Sequence, residues 1–552
     1  MILFMENRAD RADRMAMGRA MMAAGLTVAV LGPPAHAQDG PRLNAIEAQI
    51  RALQSELARV RRDLAASNNE LRSARQARTR PEAPSPALPA PPAVPPSRGG
   101  VQQAGAPQSQ PTDANGPPNS SSAPASNAPP APPNPGGLSF PRGRPTFTSP
   151  DGRLSIAVGL QFNYDLGGDL QGSRRRPDTR QFPRLNTFGE NLRRGYIPFV
   201  FKYDDFQVNI TPDFGGSPDG SPTLYEANIN WAPSAIKPLT VTLGYFKPWL
   251  TLGDSESASD FLFLERPSIV EAARSIAGSN SRSALGARWF EDRYFVASYL
   301  TGSLYGSQAA AAAQSQQTGA TLRLAARPVA TADWDVHTGF SASDAFHIQR
   351  TATGQTLTIS DRPELRIDNN RLVSTGAFNA RSAYTYGPEF AVRWRNLMLQ
   401  GEYIRVGVDR TDGGATVRTP GLEFDGGYAE ASWVITGEPR RYLPASAAFG
   451  NPAPARPFSL RNGGYGAFEL VGRYSHINLN DKVTRGRSAA STGGVYGGIQ
   501  DIHAVGVNWY LDEHFRFLLD YDIIDVDHLN AAGTTQIGQR IQAVALRAQA
   551  TF

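Results

Sequence analysis

Arginines fall at alternate positions in stretches where polar and apolar residues also alternate: Arg288, Arg323, Arg393, Arg395, Arg473, Arg516 and Arg547. A guanidinium stays charged at any working pH and carries five N–H donors in a planar fork, which suits it to oxyanions. Set round a water-filled bore, such groups attract small anions. The same parity adds Arg153, Arg194, Lys202 and Arg327, against Asp165, Glu226, Asp335, Glu402, Glu469, Asp520 and Asp522. Eleven basic groups against seven acidic ones lean modestly towards anions. An equal alternative is that pairs such as Glu469 and Arg473, on one face of one strand, only brace the wall.

A second group occupies one long connection, 248–283. There Arg266, Arg274 and Arg282, with Lys247 at the root, oppose Asp254, Glu256, Asp260, Glu265 and Glu271. Folded into a bore, that segment would form a constriction with a transverse field. Catalytic patterns do not stand out. The chain has no cysteine, and His337, His347, His476, His503, His514 and His528 lack partners at telling spacings. Gly-rich nucleotide loops, clustered metal ligands and basic-aromatic surfaces do not stand out either. No enzyme chemistry, cofactor, metal or nucleic-acid partner is expected.

These side chains need a scaffold with period-two geometry. In Leu154–Asp165 the residues Leu154, Ile156, Val158, Leu160, Phe162 and Tyr164 share one face, and Ser155, Ala157, Gly159, Gln161, Asn163 and Asp165 the other. That is apolar-out, polar-in alternation. Sixteen such stretches, this one the first, lie between 153 and 552, joined by connections that alternate between short and long. Short turns at one end and long loops at the other, with an even strand number, describe an outer-membrane barrel. One connection, 438–464, should be short and is long and Pro-rich. Trp231, Trp249, Trp334, Trp394 and Trp509 lie near strand ends, where an interfacial girdle would place them. Sixteen strands imply an aqueous channel rather than a side-chain-filled core.

Length and charge agree. No stretch of the 552 residues reaches the roughly 18 apolar residues of a spanning helix. Residues 1–137 carry 14 basic and 10 acidic side chains, which leaves 41 against 40 for the remainder. The overall +5 is therefore no sign of a polyanionic partner.

The first 145 residues divide in three. Residues 1–37 read as a signal peptide, with an apolar core at Ala20–Leu31 and a small-x-small ending at Ala35-His36-Ala37. Residues 38–80 place Leu43, Ile50, Leu57, Leu64 and Leu71 at heptad position a and Ile46, Leu53 and Val60 at d, which predicts a periplasmic coiled coil. Residues 81–145 read as a disordered linker, since 81–137 alone hold 18 of the 43 prolines. A spacer of about 3.1 Å per residue reaches on the order of 150 Å. The expected fold class is thus all-β: a 16-stranded antiparallel transmembrane β-barrel over 146–552, preceded by an N-terminal helical coiled coil.

Several segments resemble one family. Lys237-Pro238-Leu239-Thr240-Val241, Gly244–Pro248, Phe261–Arg266 (FLFLER), Gly466–Asp481, Val505–Leu511 and Phe515–Tyr521 are similar to the phosphate-selective porin O and P family, in the right order over about 150–552. The resemblance implies a homotrimeric barrel in the Gram-negative outer membrane, contacting lipid and lipopolysaccharide and passing small anions, phosphate-like oxyanions among them. The chain departs from the family in having only Arg393-x-Arg395 where a longer arginine ladder is usual, and in Tyr196 where a basic residue is frequent. The expected function is passive diffusion of small anionic solutes. The expected pore-lining residues are Lys247, Arg266, Arg274, Arg282, Arg288, Arg323, Arg393, Arg395, Glu469, Arg473, Arg516 and Arg547. The alternative is a barrel anchor whose coiled coil tethers the envelope to the cell wall.

Overall fold

The computed structural model describes residues 136–171, 187–215, 222–306, 315–351, 354–367, 370–411 and 419–552. The expected signal peptide and coiled coil lie outside these residues.

Sixteen antiparallel strands close a barrel. They are β1 (Leu154–Val158 and Gln161–Leu170), β2 (Gly189–Tyr196 and Phe199–Tyr203), β3 (Phe206–Asp213) and β4 (Thr223–Trp231). β5 (Leu239–Phe246), β6 (Arg282–Phe290), β7 (Tyr294–Leu304) and β8 (Thr318–Ala330) follow. Next come β9 (Trp334–His347), β10 (Ser382–Trp394), β11 (Leu397–Asp409) and β12 (Leu422–Val434). The wall ends with β13 (Ala467–Asp481), β14 (Val495–Tyr510), β15 (Phe515–Asp527) and β16 (Arg540–Thr551). Closure comes from β16 pairing with β1, Thr551 opposite Gln161 and Gln542 opposite Leu170. Phe552 exchanges backbone hydrogen bonds with Leu160 and stacks on His514, which extends the seam.

Alternation holds on the lipid side. Val544 and Leu546 on β16 are exposed while Ala543, Ala545 and Arg547, which alternate with them, are buried, as a strand with lipid on one face requires. Trp231, Trp334 and Trp394 are exposed at the short-turn end. Trp249 is not part of that girdle. It is buried inside the barrel, with the Arg288 guanidinium 5.0 Å from its ring. Within the stretch expected to be linker up to 145, Gly137–Ser139 pairs with Thr146–Thr148, which pairs with β1.

The interior departs from a polar bore all round. Two segments enter from the long-loop end and one from the short-turn end. The loop 247–281 carries helices α1 (Leu252–Ser255) and α2 (Ser268–Ala277). Ile269, Val270 and Ile276 of α2 share an apolar core with Ile404, Val406, Phe424, Ile477, Ile502 and Ile524 of the barrel wall. Ile359, Leu365 and Phe378 of the loop 348–381 complete it. Inward residues of β11–β15 near the long loops are therefore apolar because protein, not water, covers them. Polar-in alternation fails wherever a loop supplies an apolar lid.

The exceptional connection 435–466 is the third insertion. Its strands Arg440–Leu443 and Ala448–Pro452 form a hairpin whose tip, Ser446 to Phe449, is fully buried. Long and Pro-rich, it is a plug where a turn would suffice.

Each α2 isoleucine truncated to alanine should cost about 2–5 kcal/mol of seating energy. Ile269→Ala with Ile276→Ala is expected to loosen the loop and raise single-channel conductance while heat-modifiable gel mobility persists. An unchanged conductance would show that α2 does not narrow the passage.

Candidate functional site

The stretch 259–265 crosses the barrel interior in an irregular path, so its carbonyls lack ladder partners and need donors from elsewhere. The wall and the hairpin provide them. Arg516 donates to the Ser259 and Phe261 carbonyls at 3.1 and 2.6 Å, Asn508 to Leu262 at 3.0 Å, and Arg473 to Glu265 at 2.9 Å. Arg547 donates to Leu264, Arg440 to Asp260, and Gln549 to Ser259 at 2.9 Å. In return the Leu264 N–H donates to Asp520 at 2.7 Å.

The hairpin is held in the same way. Arg288 donates to the Ala445 carbonyl at 2.9 Å, and Arg323 to those of Ser446 and Ala447 at 2.6 and 2.8 Å. Arg323 also pairs with Glu389 at 2.8 Å; Glu389 bonds His337, whose other ring nitrogen meets the Tyr442 hydroxyl at 2.9 Å. Arg282 likewise binds the Gly278 and Gly302 carbonyls at 2.6 and 2.9 Å.

The sequence-expected residues thus separate. Arg282, Arg288, Arg323, Arg473, Arg516 and Arg547 do face inward, and all six clasp backbone carbonyls. Arg393 pairs with Asp335 and reaches the carbonyls of Ala332 and Arg395. Arg395 does not line the bore. It lies in the 395–396 turn at φ 52° and is exposed beside Asp333. Glu469 and Arg473 do not pair with each other: Glu469 binds Arg440 at 3.0 Å, and Arg473 binds Glu364 of the 348–381 loop. Arg153 also leaves the interior, exposed against Asp204.

What remains is a charge cluster beside α1 and α2. Arg193 meets Glu265 in a two-point pair at 2.6 and 2.9 Å, with Arg547 at 3.0 Å and Arg194 at 3.5 Å. Arg547 also grips Asp165 at 2.6 Å. Arg274 holds Asp254 at 2.6 Å, and Arg266 lies 3.7 Å from both Asp254 and Glu271. Arg366 of the 348–381 loop reaches Glu271 at 3.2 Å. Lys247 donates to the Asp254 and Glu256 carbonyls. Burial pushes the Glu265 carboxyl up, yet Arg193, Arg194, Arg547 and Arg366 outweigh it and hold it well below the usual carboxylate range.

Sequence parity misses Arg193 because β2 bulges there. Arg194 pairs with Asn163 and Leu192 with Tyr164, so Arg193 is the extra residue and also turns inward. Arg366, Glu364 and Arg440 come from connections, where parity says nothing.

A profile of the phosphate-selective porin O and P family matches residues 157–552. The chain belongs to this family. Membership places the barrel in the outer membrane and in the channel class, not among enzymes. An uncharacterized protein of Caulobacter vibrioides is 32% identical over 169 residues, a stretch that spans 30% of this chain and 29% of that relative. Among solved structures, the anion-selective porin of Comamonas acidovorans is 8% identical at a TM-score of 0.41, covering 72% of this chain and all of its own. The outer membrane channel DcaP of Acinetobacter baumannii is 9% identical at a TM-score of 0.42, covering 74% and 99%.

Arg323→Met leaves two hairpin carbonyls without their donor and Glu389 without its cation. Breaking such a buried pair costs about 3–5 kcal/mol. The expected result is faster proteolysis within 435–466 of the folded barrel, and an unchanged cleavage rate would contradict the clasp.

Proposed function

We propose that the protein is a passive pore for small anions in the outer membrane. The observation that carries this is the concentration of guanidinium groups at the inner cluster. Six arginines (Arg193, Arg194, Arg266, Arg274, Arg366 and Arg547) gather there with Lys247 around Asp165, Asp254, Glu265 and Glu271, and Asp213 and Asp361 lie within electrostatic reach of them. Arg193 and Arg366 keep 14% and 23% of their side-chain surface, which makes them the arginines of the cluster that a passing solute meets.

Magnitudes support the sign. Each unbalanced positive charge at about 10 Å attracts a monovalent anion by about 0.4 kcal/mol in bulk water and about 1.7 kcal/mol at an effective dielectric near 20. The higher figure is more than about tenfold in partition. The carbonyl-clasping arginines add to the field without offering their forks to the solute. A preference for phosphate over other oxyanions has no dedicated ladder of arginines behind it.

We also infer a homotrimer, on the family's account; native mass spectrometry in mild detergent tests it. Reversal potentials across a KCl gradient test the pore. Chloride preference is expected, reduced several-fold in Arg193→Gln with Arg366→Gln, and cation preference in the native protein would refute anion selectivity.

A further inference from the structure

The 435–466 connection also reaches the outside of the barrel. Past its buried hairpin, the Phe458 N–H donates to the Leu511 carbonyl at 2.6 Å, and the Gly466 N–H to that of Arg456 at 2.9 Å. Ser459 and Gly464 then exchange backbone hydrogen bonds at 3.0 and 3.2 Å, closing a tip made of residues 460–463. Its residues favour the turn. Ser459 Oγ accepts the Asn462 N–H at 3.2 Å, and Gly463 takes the left-handed φ of 66°. A side chain at Gly464 would run into the Pro457 carbonyl.

Aromatic rings fix this tip to the lipid side of the wall. Phe458 packs edge-on against Trp509, with ring centroids 5.4 Å apart. Trp509 stacks on Phe468 and Phe517 at 5.7 and 5.9 Å, and its indole N–H donates to the Tyr465 carbonyl at 2.9 Å. Trp509 lies between buried Asn508 and Tyr510, and Phe517 between buried Arg516 and Leu518. Both rings therefore face away from the bore. The tip stands on the membrane-facing surface at the short-turn end, the periplasmic side of such a barrel.

Two features of the tip are ill suited to water. Leu460 is 90% exposed, the most of any large apolar side chain among the described residues, and Phe458 and Tyr465 beside it are half-exposed. Arg456 and Arg461 are exposed too, and among the described residues neither guanidinium has a carboxylate or carbonyl partner. The stretch 455–466 holds no carboxylate of its own. An apolar tip flanked by unpaired guanidinium groups at a membrane edge suits a phospholipid. Acyl chains receive the leucine, and the phosphate receives the planar forks. The rings that seat the tip already belong to a surface that lipid covers, which favours lipid over a water-soluble partner.

We propose that the 456–465 tip docks an anionic phospholipid of the leaflet at the short-turn end. Leu460 enters the acyl chains, and Arg456 and Arg461 hold the phosphate. The connection is then fastened twice, its hairpin by arginines inside the bore and its tip by lipid outside.

Trypsin reads the tip directly, because it cuts after Arg461 while Pro457 blocks the cut after Arg456. The purified protein is digested in uncharged detergent micelles, in phosphatidylcholine nanodiscs, and in nanodiscs containing phosphatidylglycerol. Cleavage after Arg485, exposed in a long loop, is the reference. Relative cleavage after Arg461 is expected to fall at least about tenfold from micelles to phosphatidylglycerol nanodiscs, and less in phosphatidylcholine alone. Leu460→Asp is expected to restore it, with heat-modifiable mobility reporting a folded barrel. Native mass spectrometry is expected to show retained phosphatidylglycerol that Arg456→Gln with Arg461→Gln loses. Equal cleavage in all three media overturns the proposal, and equal protection by the two lipids overturns the anionic headgroup. Protection already complete in micelles, and lost when the oligomer dissociates, assigns the tip to a second copy of the chain and overturns it as well.

Discussion

The interior is organised by guanidinium groups donating to backbone carbonyls that no ladder satisfies. An irregular segment inside a barrel carries one unpaired carbonyl per residue, and each costs about 1–3 kcal/mol if buried without a donor. Arginine solves this at long reach because its fork serves two acceptors at once. Arg516 bridges the carbonyls of Ser259 and Phe261, and Arg323 those of Ser446 and Ala447. Removing water from the inserted segments and fastening them to the wall are one event.

That constraint sorts the charges. A cation that faces inward is not thereby a selectivity residue, because most of its donors are already directed at protein. Arg193 and Arg366, which keep part of their side-chain surface, lie beside Glu265 and Glu271. The barrel consequently has two halves of different character. β11–β15 hold an apolar core against α2, while β3–β5 keep a hydrogen-bonded wall of amides and hydroxyls with the carboxylates Glu226 and Asp213 towards its long-loop end.

Much of this was legible in the residues. The sixteen strands, their order and the inward parity of Arg288, Arg323, Arg473, Arg516 and Arg547 follow from period two and from connection lengths. The irregular 438–464 connection announced itself by breaking the length rule, though nothing local in it says that it turns inward. Illegible were the partners. Arg473 looks like a mate for Glu469 four residues away, yet the inserted loop brings Glu364 and the Glu265 carbonyl closer. Trp249 reads as girdle because it follows a strand, and only the inward course of its loop buries it.

The bulges explain how the narrow zone gained side chains without disturbing the outer surface. In a regular strand a second inward residue requires the next one to face lipid. A bulge breaks that bond between neighbours, so Arg193 joins Arg194, and Tyr225 joins Glu226, while Leu192 opposite Tyr164 keeps the outer register. Pro212 has no N–H to give the ladder, which supplies a local reason for the irregularity at Tyr225. Both extra residues sit within a few positions of the Tyr196–Asp213 pair, on adjacent parts of the wall. The extra charge and the extra ring therefore come from the backbone register, at the level where the inserted loop already narrows the barrel.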